Sequence, residues 1–257
     1  MLFLIPPSEG KTSPPFGPFL DLEQLAFPEL NVGRTKLINA LSTICMKSPK
    51  KAAELLGIGP TQFDLVKFNA HLKTAPCGPA IDVYSGVLYD HLGYSTLSAA
   101  AKKRAQTSVL ISSALFGFVE LQNPIPAYRL SGSTVLPKVG PLSPFWRPKL
   151  TSIFDAYEGE LILDMRSGSY EKLAPVSHRV NAVEVKVMTM VKGIRKSVTH
   201  FNKATKGDLV RASLSSSRKF PHDAHGLETY FRALGFNAAL EESPKGARSL
   251  IILTHNQ

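Results

Sequence analysis

Short apolar segments typical of β-strands alternate with helix-like segments along the whole chain, and this alternation constrains the fold more than any other feature. Strands are predicted at residues 2–5, 80–84, 109–112, 160–164, 183–187, 197–201 and 250–253. Helices are predicted at residues 32–46, 48–56, 61–72, 95–105, 148–157, 206–217 and 222–235, and proline-rich loops at 6–18 and 123–144. Interleaved strands and helices indicate an α/β (mixed α+β) fold, one compact domain over residues 1–257 around a mixed sheet.

The most specific local motif lies in residues 48–73, where two short helices are joined by a Gly-Ile-Gly turn. The first helix starts at Ser48-Pro49, a favoured N-cap and first position, and ends at Gly57. The element resembles the helix-hairpin-helix motif of DNA-binding proteins, in which glycines allow the backbone to approach a phosphate closely. Its candidate DNA-contacting residues are Lys50, Lys51, Gly57, Gly59 and Lys67.

Phe63 departs from that motif, because a small residue usually stands at its position and phenylalanine should push the two helices apart. The alternative interpretation is an ordinary helix pair with a glycine C-cap. A phosphate contact through this turn would read no base sequence, so any DNA binding is expected to be non-specific.

The chain carries 30 Lys and Arg against 20 Asp and Glu, a formal charge of +10. Such a surplus predicts attraction to nucleic acid, anionic lipid or phosphorylated small molecules, without choosing among them. The apolar start at residues 1–5 stops at Pro6-Pro7 and is too short for a signal peptide or a membrane span. We therefore expect a cytoplasmic protein that does not bind membranes, and its oligomeric state is left open.

No metal site and no cofactor are predicted. Cys45 and Cys77 form no CxxC pair, and Cys45 is expected to be buried. His222 and His225 could share a helix face but lack an evident third ligand. Gly10-Lys11-Thr12 does not complete a P-loop, because two prolines remove backbone donors and the required first glycine is absent.

A set of basic, tyrosine and serine side chains is scattered through loops and strand ends, where α/β proteins build clefts. From these residues alone, separate turns with solvated charges are the favoured explanation. The candidate cleft and anion-binding residues are Lys11, Tyr84, Tyr128, Arg129, Ser167, Tyr170, Lys203, Lys206 and Arg211.

The order of these motifs resembles the YaaA peroxide-stress family over residues 2 to 254. The matching segments are residues 4–12, 82–86, 115–117, 126–130, 145–146, 167–170 and 203–211. One departure is Ser8-Glu9-Gly10 before Lys11, where the family reads more like Ser-Pro-Ala. The resemblance implies a compact mixed α/β fold with a basic cleft and a helix-hairpin-helix element. It also implies a bacterial cytosolic protein that binds DNA and limits oxidative DNA damage during peroxide stress.

Three functions remain open at the level of sequence. The leading hypothesis is DNA binding without strong sequence preference, through the hairpin and a basic cleft. The alternative is an enzyme that acts on an anionic small molecule in a Lys/Arg/Tyr-lined cleft, where such groups would stabilise developing negative charge. The third is a stress-linked protein that acts through a protein partner. No reaction follows from the sequence, and a closed pocket would favour the enzyme whereas a long groove would favour DNA.

Overall fold

The computed structural model describes residues 1–166, 168–176, 181–192, 194–197 and 201–254. Its α-helices are α1 Asn31–Lys47, α2 Pro49–Leu56, α3 Asp64–Ala70, α4 Ala80–Val83, α5 Val87–Leu92, α6 Ala99–Ser108, α7 Leu142–Ile153, α8 Ser169–Leu173, α9 Phe201–Ser215 and α10 His225–Ala233. Its strands are β1 Leu2–Ile5, β2 Gly78–Pro79, β3 Val109–Ser113, β4 Gly117–Glu120, β5 Pro124–Ile125, β6 Val135–Leu136, β7 Gly140–Pro141, β8 Leu161–Asp164, β9 Asn181–Val191, β10 Ile194–Ser197, β11 Ala238–Glu242 and β12 Arg248–Thr254.

One mixed sheet forms the centre of the described structure. Its strand order is β11-β12-β9-β8-β1-β3-β4, and β10 pairs with β9 as the eighth strand. The strands from β12 to β3 run parallel, whereas β4, β10 and β11 pair antiparallel with their neighbours. This arrangement confirms the mixed α/β class that the interleaved segments predict.

The central strand β1 pairs with β3 on one side and with β8 on the other, and Phe3 lies opposite Val109 and Leu163. All four residues of β1 are buried, as expected for a strand covered on both faces. The predicted strands at 2–5, 109–112, 160–164, 183–187 and 250–253 are confirmed, because continuous or alternating apolar runs encode burial locally.

One predicted strand, at 80–84, is wrong. Residues 80–83 form helix α4, whose first N–H groups donate to Asn123 O and Leu121 O at 2.9 and 3.0 Å. These acceptors come from a distant turn, so tertiary context overrides the β-like composition. Of the strand expected at 197–201, Ser197 ends β10 and Phe201 begins α9, and residues 198–200 lie outside the described residues.

The helix pair predicted in residues 48–73 is present as α2 and α3, joined by a turn at Gly57–Pro60 and one 3-10 turn at Pro60–Gln62. Gly57 ends α2 in the left-handed conformation, at φ 61°, which explains the glycine there. Ser48 occupies the N-cap position, but its side chain makes no capping hydrogen bond. Whether this pair is a helix-hairpin-helix motif in function stays a prediction.

Helix α7 begins at Leu142, earlier than the predicted 148, and continues through Pro148. Its Trp146 is fully buried and donates from Nε1 to Ala114 O at 2.8 Å, so packing on the β3–β4 turn offsets the missing backbone donor. Cys45 and Cys77 are both buried free thiols, as expected for Cys45. In the described ranges, no helix is both long and apolar enough to span a bilayer.

Candidate functional site

A cleft of about 680 Å³ opens at the carboxyl ends of β1 and β8. This strand-end cleft is lined by Pro6, Pro7, Ser8, Glu9, Gly10, Ser85, Gly86, Val87, Leu88, Tyr89, Ser131, Met165, Gly168, Ser169, Tyr170, Ser197, Asn202, Lys203 and Lys206. Connections leave β1 toward β3 on one side and β8 toward β9 on the other. Ligands of α/β proteins bind where connections diverge in this way, beyond the carboxyl ends of parallel strands.

Helix α9 supplies the two cations of the cleft. Lys203 is exposed, whereas Lys206 one turn later is only 5% exposed and donates from Nζ to Met165 O at 2.9 Å. Burial lowers the pKa of Lys206, and the carboxylates of Asp164, Glu171 and Glu184 oppose that shift. A buried ammonium with donors to spare at a cleft is suited to binding an anion.

Behind the cleft wall lies the Lys11 cluster, formed by Lys11, Tyr84, Tyr128 and Ser113. The Nζ of Lys11 lies 4.2 Å from the ring centroid of Tyr128 and 5.2 Å from that of Tyr84, and it donates to Ser8 O at 2.7 Å. The two tyrosine hydroxyls are 2.9 Å apart, and Ser113 Oγ is 2.8 Å from the Tyr128 hydroxyl. Residues that are far apart in the sequence thus surround the amine of Lys11.

Burial sets the protonation of this cluster. It lowers the pKa of Lys11 to about 7, because the amine faces aromatic rings instead of water. It raises the pKa of Tyr84 to about 12 and holds the pKa of Tyr128 well above its usual value. At neutral pH the tyrosines therefore stay protonated, while Lys11 is close to half neutral.

Local pairing explains how the cluster is built. Lys11 forms a β-bridge with Tyr84, and Thr12 N donates to Val83 O at 2.8 Å, so the proline-rich loop is held against α4. Tyr89 stacks on Tyr84 at 5.5 Å between ring centroids and donates to Pro6 O at 2.9 Å. Burial also raises the pKa of Tyr89.

Arg129 connects the cleft to the helix pair. Its guanidinium forms an ion pair with Glu9 of the cleft wall, and its backbone N and O are hydrogen-bonded to the Asn69 side chain of α3 at 2.9 and 2.7 Å. Arg129 and Gly57 line a second depression of about 570 Å³, and Ser131 lines both this depression and the strand-end cleft. The glycine turn and the cleft are therefore neighbours on one surface.

The predicted proximity of Arg129, Lys203 and Arg211 stays a prediction: the three line three different depressions, and the depression of Lys203 shares Ser131 with that of Arg129 and Tyr89 with that of Arg211. Arg211 donates from Nη1 to Leu92 O and Gly93 O at 3.0 and 2.9 Å, and so satisfies carbonyls at the end of α5. Tyr170, Lys203 and Lys206 line the strand-end cleft, whereas Ser167 lies outside the described residues.

The candidate DNA-contacting residues lie on the outer face of the helix pair. Lys50, Lys51 and Lys67 are exposed, and Lys67 pairs with Asp64 at 2.8 Å. A Cβ added at Gly59 would meet no atom within 4 Å, and its φ of −73° suits any residue, so the fold alone does not require glycine there. Phe63 is 36% exposed.

Sequence reasoning missed Glu9, Tyr89, Asn69 and Ser113. Each acts through one long-range partner, and neither residue type nor spacing signals such a contact. His222 and His225 are exposed, and among the described residues no group of three His, Cys, Asp or Glu side chains could hold a metal.

Comparison with known proteins gives consistent matches over most of the chain. A family model described as peroxide stress protein YaaA matches residues 1–239. A UPF0246 protein of Streptomyces coelicolor is 38% identical over 99% of both chains. A UPF0246 protein of Corynebacterium efficiens is 40% identical over 98% of this chain and 100% of its own. The matched segment contains every described residue that lines the strand-end cleft.

Proposed function

The chain belongs to the YaaA peroxide-stress family, and from that premise we propose that it binds DNA without strong sequence preference and thereby limits oxidative DNA damage. The observation that carries this proposal is the unobstructed Gly57–Gly59 turn among exposed lysines. Residues 47–73 hold five lysines against two carboxylates, and all five lysines are exposed.

Two physical features support phosphate contact at this turn. Gly59 leaves open space above the backbone, so a phosphate oxygen can approach its neighbours without meeting a side chain. Lys50 and Lys51 open α2, and Lys67 lies on α3, so cations flank the turn on both helices. Such contacts neutralise phosphates and release counterions, which makes affinity salt-dependent and insensitive to base sequence.

The experiment measures affinity for fluorescent duplexes of unrelated sequence as a function of salt. Three to five phosphate contacts predict a slope of roughly −3 to −4.5 in log K against log salt. The double variant Lys50→Ala/Lys51→Ala should flatten the slope by up to about two. The matched control is Lys102→Ala/Lys103→Ala, an adjacent lysine pair on α6, which should leave the slope unchanged.

Gly59→Ala provides an independent arm, because the added methyl group meets nothing in the free protein. Thermal unfolding should therefore be unchanged, while DNA affinity should fall. The hairpin would not be the DNA-binding element if the two double variants had equal slopes of log K against log salt and Gly59→Ala bound DNA with full affinity. Undetectable DNA binding at low salt would remove the DNA proposal itself.

A second candidate function is an enzyme acting on an anionic small molecule. It is favoured by the position of the strand-end cleft beyond β1 and β8 and by the buried Lys206 at its edge. The volume of about 680 Å³ is in the range of metabolite sites and is too small for a duplex. If the protein bound a small anion with an affinity independent of salt and did not bind DNA, the enzyme function would be favoured over DNA binding.

A further inference from the structure

The amine of Lys11 occupies a place that neither DNA contact by the hairpin nor simple charge–charge binding explains. It faces two aromatic rings and one backbone carbonyl, and among the described residues no carboxylate forms an ion pair with it. An exposed lysine would serve as well for phosphate attraction. An amine held out of water is instead the arrangement that activates lysine as a nucleophile toward carbonyl groups.

The amine is joined to the wall of the strand-end cleft through Ser8, although Lys11 is not itself one of the residues that line the cleft. Ser8, whose carbonyl oxygen accepts its hydrogen bond, lines the cleft, and so do Gly10 and Ser85, the chain neighbours of Lys11 and Tyr84. The side chain of Glu9 in the same wall is held by Arg129.

The cleft lining also contains groups that suit the anionic end of a ligand. Lys203 and the buried Lys206 lie there, together with the first turn of the 15-residue helix α9. Asn202 of that turn has a buried Oδ1 with no hydrogen-bond partner in the part of the chain that the structure describes, and Ser169 also lines the cleft. Val87, Leu88 and Met165 add apolar side chains to the lining, which suit the carbon chain of such a ligand.

We propose that Lys11 forms a Schiff base with the open-chain aldehyde of a sugar phosphate held in the strand-end cleft. The amine adds to the aldehyde carbon, and the resulting carbinolamine loses water to give the C=N bond, so no oxidant or co-reactant is needed. Two ligands would present this aldehyde: a free sugar phosphate, or the deoxyribose phosphate of an abasic site in DNA. The second source rests on the proposed function.

The pKa of Lys11 near 7 agrees with this geometry, since about half of the amines are then neutral at pH 7. An ordinary lysine has fewer than about one neutral amine in a thousand at that pH. Selectivity for Lys11 over the other lysines is therefore the property to measure.

The test incubates the full chain with deoxyribose 5-phosphate, or with a duplex that contains one abasic site, in the presence of sodium cyanoborohydride. Reduction fixes the C=N bond as a stable amine, and peptide mass spectrometry locates it. At pH 7 we expect at least about tenfold more adduct on Lys11 than on Lys149. Lys149 is the matched comparison, because it is half-buried, lies 4.6 Å from the Phe145 ring centroid and donates to Phe145 O at 3.1 Å.

Lys11→Arg keeps a cation but cannot form the adduct, so labelling of that peptide should disappear while Lys149→Arg labels like the wild type. If only deoxyribose 5-phosphate forms the adduct, the ligand is a free sugar phosphate. If the abasic duplex forms it too, the ligand can also be an abasic site in DNA. The wild-type map decides the matter even if Lys11→Arg does not fold. Adduct spread evenly over the lysines, or none with either source, overturns the proposal. A chain that binds intact duplex yet gives no adduct contradicts only this inference and leaves DNA binding standing.

Discussion

Lys11 shows how one residue acquires its chemistry from its surroundings. In sequence it lies within a proline-rich loop and looks like a surface lysine. In the structure its amine contacts the rings of Tyr84 and Tyr128, which come from later segments of the chain. Burial then lowers its pKa to about 7, so keeping it charged costs free energy of folding.

This cost predicts a pH-dependent stability. Between pH 7 and the 10.5 of a free lysine, the unfolded chain binds a proton that the folded chain does not. The contribution of Lys11 to stability therefore rises with pH in this window, by up to about 1.4 kcal/mol per pH unit, and is constant below it. In urea unfolding at pH 7.5, 8.5 and 9.5, the free energy of unfolding of the wild type should increase relative to that of Lys11→Met at each step.

Lys149→Met is the control, because it measures the change in stability on losing another half-buried lysine that lies over an aromatic ring. Parallel stability curves for wild type and Lys11→Met would mean that Lys11 keeps an ordinary pKa in the folded chain.

At the scale of elements, the contact between α5 and α9 positions the cations of the cleft. A Cβ at Gly207 would lie 2.4 Å from Leu88 O and 2.7 Å from His91 Cβ, so only glycine permits this approach. His91 Nδ1 also lies 2.9 Å from Asp208 Oδ1, and Arg211 binds carbonyls at the end of α5. These contacts fix the helix that carries Lys203 and Lys206.

Gly207→Ala should destabilise the fold by about 1–3 kcal/mol, because backbone must move to accept the methyl group. Equilibrium unfolding in urea measures the loss, and the adduct yield at Lys11 reports whether the cleft still forms. Gly59→Ala is the control, since its methyl group enters open space and should shift the midpoint little. Identical midpoints for the two variants would show that α9 is not held by this close approach.

At the scale of the whole molecule, one sheet joins distant parts of the chain. Strand β1 from the start lies at its centre, and β12, from residues 248–254, lies one strand from its edge. The hairpin helices are linked to the same body through Asn69 and Arg129. We therefore propose that the chain folds as a single domain.

Cooperative unfolding tests this proposal. Trp146 is the only tryptophan in the sequence and is fully buried beside β3, so its fluorescence reports one region of the molecule. Far-UV circular dichroism reports all helices and strands together. The two urea transitions should coincide within error, as for a two-state domain. A tryptophan transition that precedes the circular-dichroism transition would instead indicate separately unfolding parts.

The sequence by itself determined the class of fold, the five buried or half-buried strands and the glycine turn between α2 and α3. These features depend on periodicity and on backbone conformations that neighbouring residues impose. Only the tertiary structure decided that residues 80–83 are helical, that Lys11 contacts two tyrosine rings and that Arg211 donates to the carbonyls at the end of α5. Each of these depends on atoms contributed by distant segments, and burial and hydrogen-bond partners at that range are properties of the packed chain, not of any local pattern.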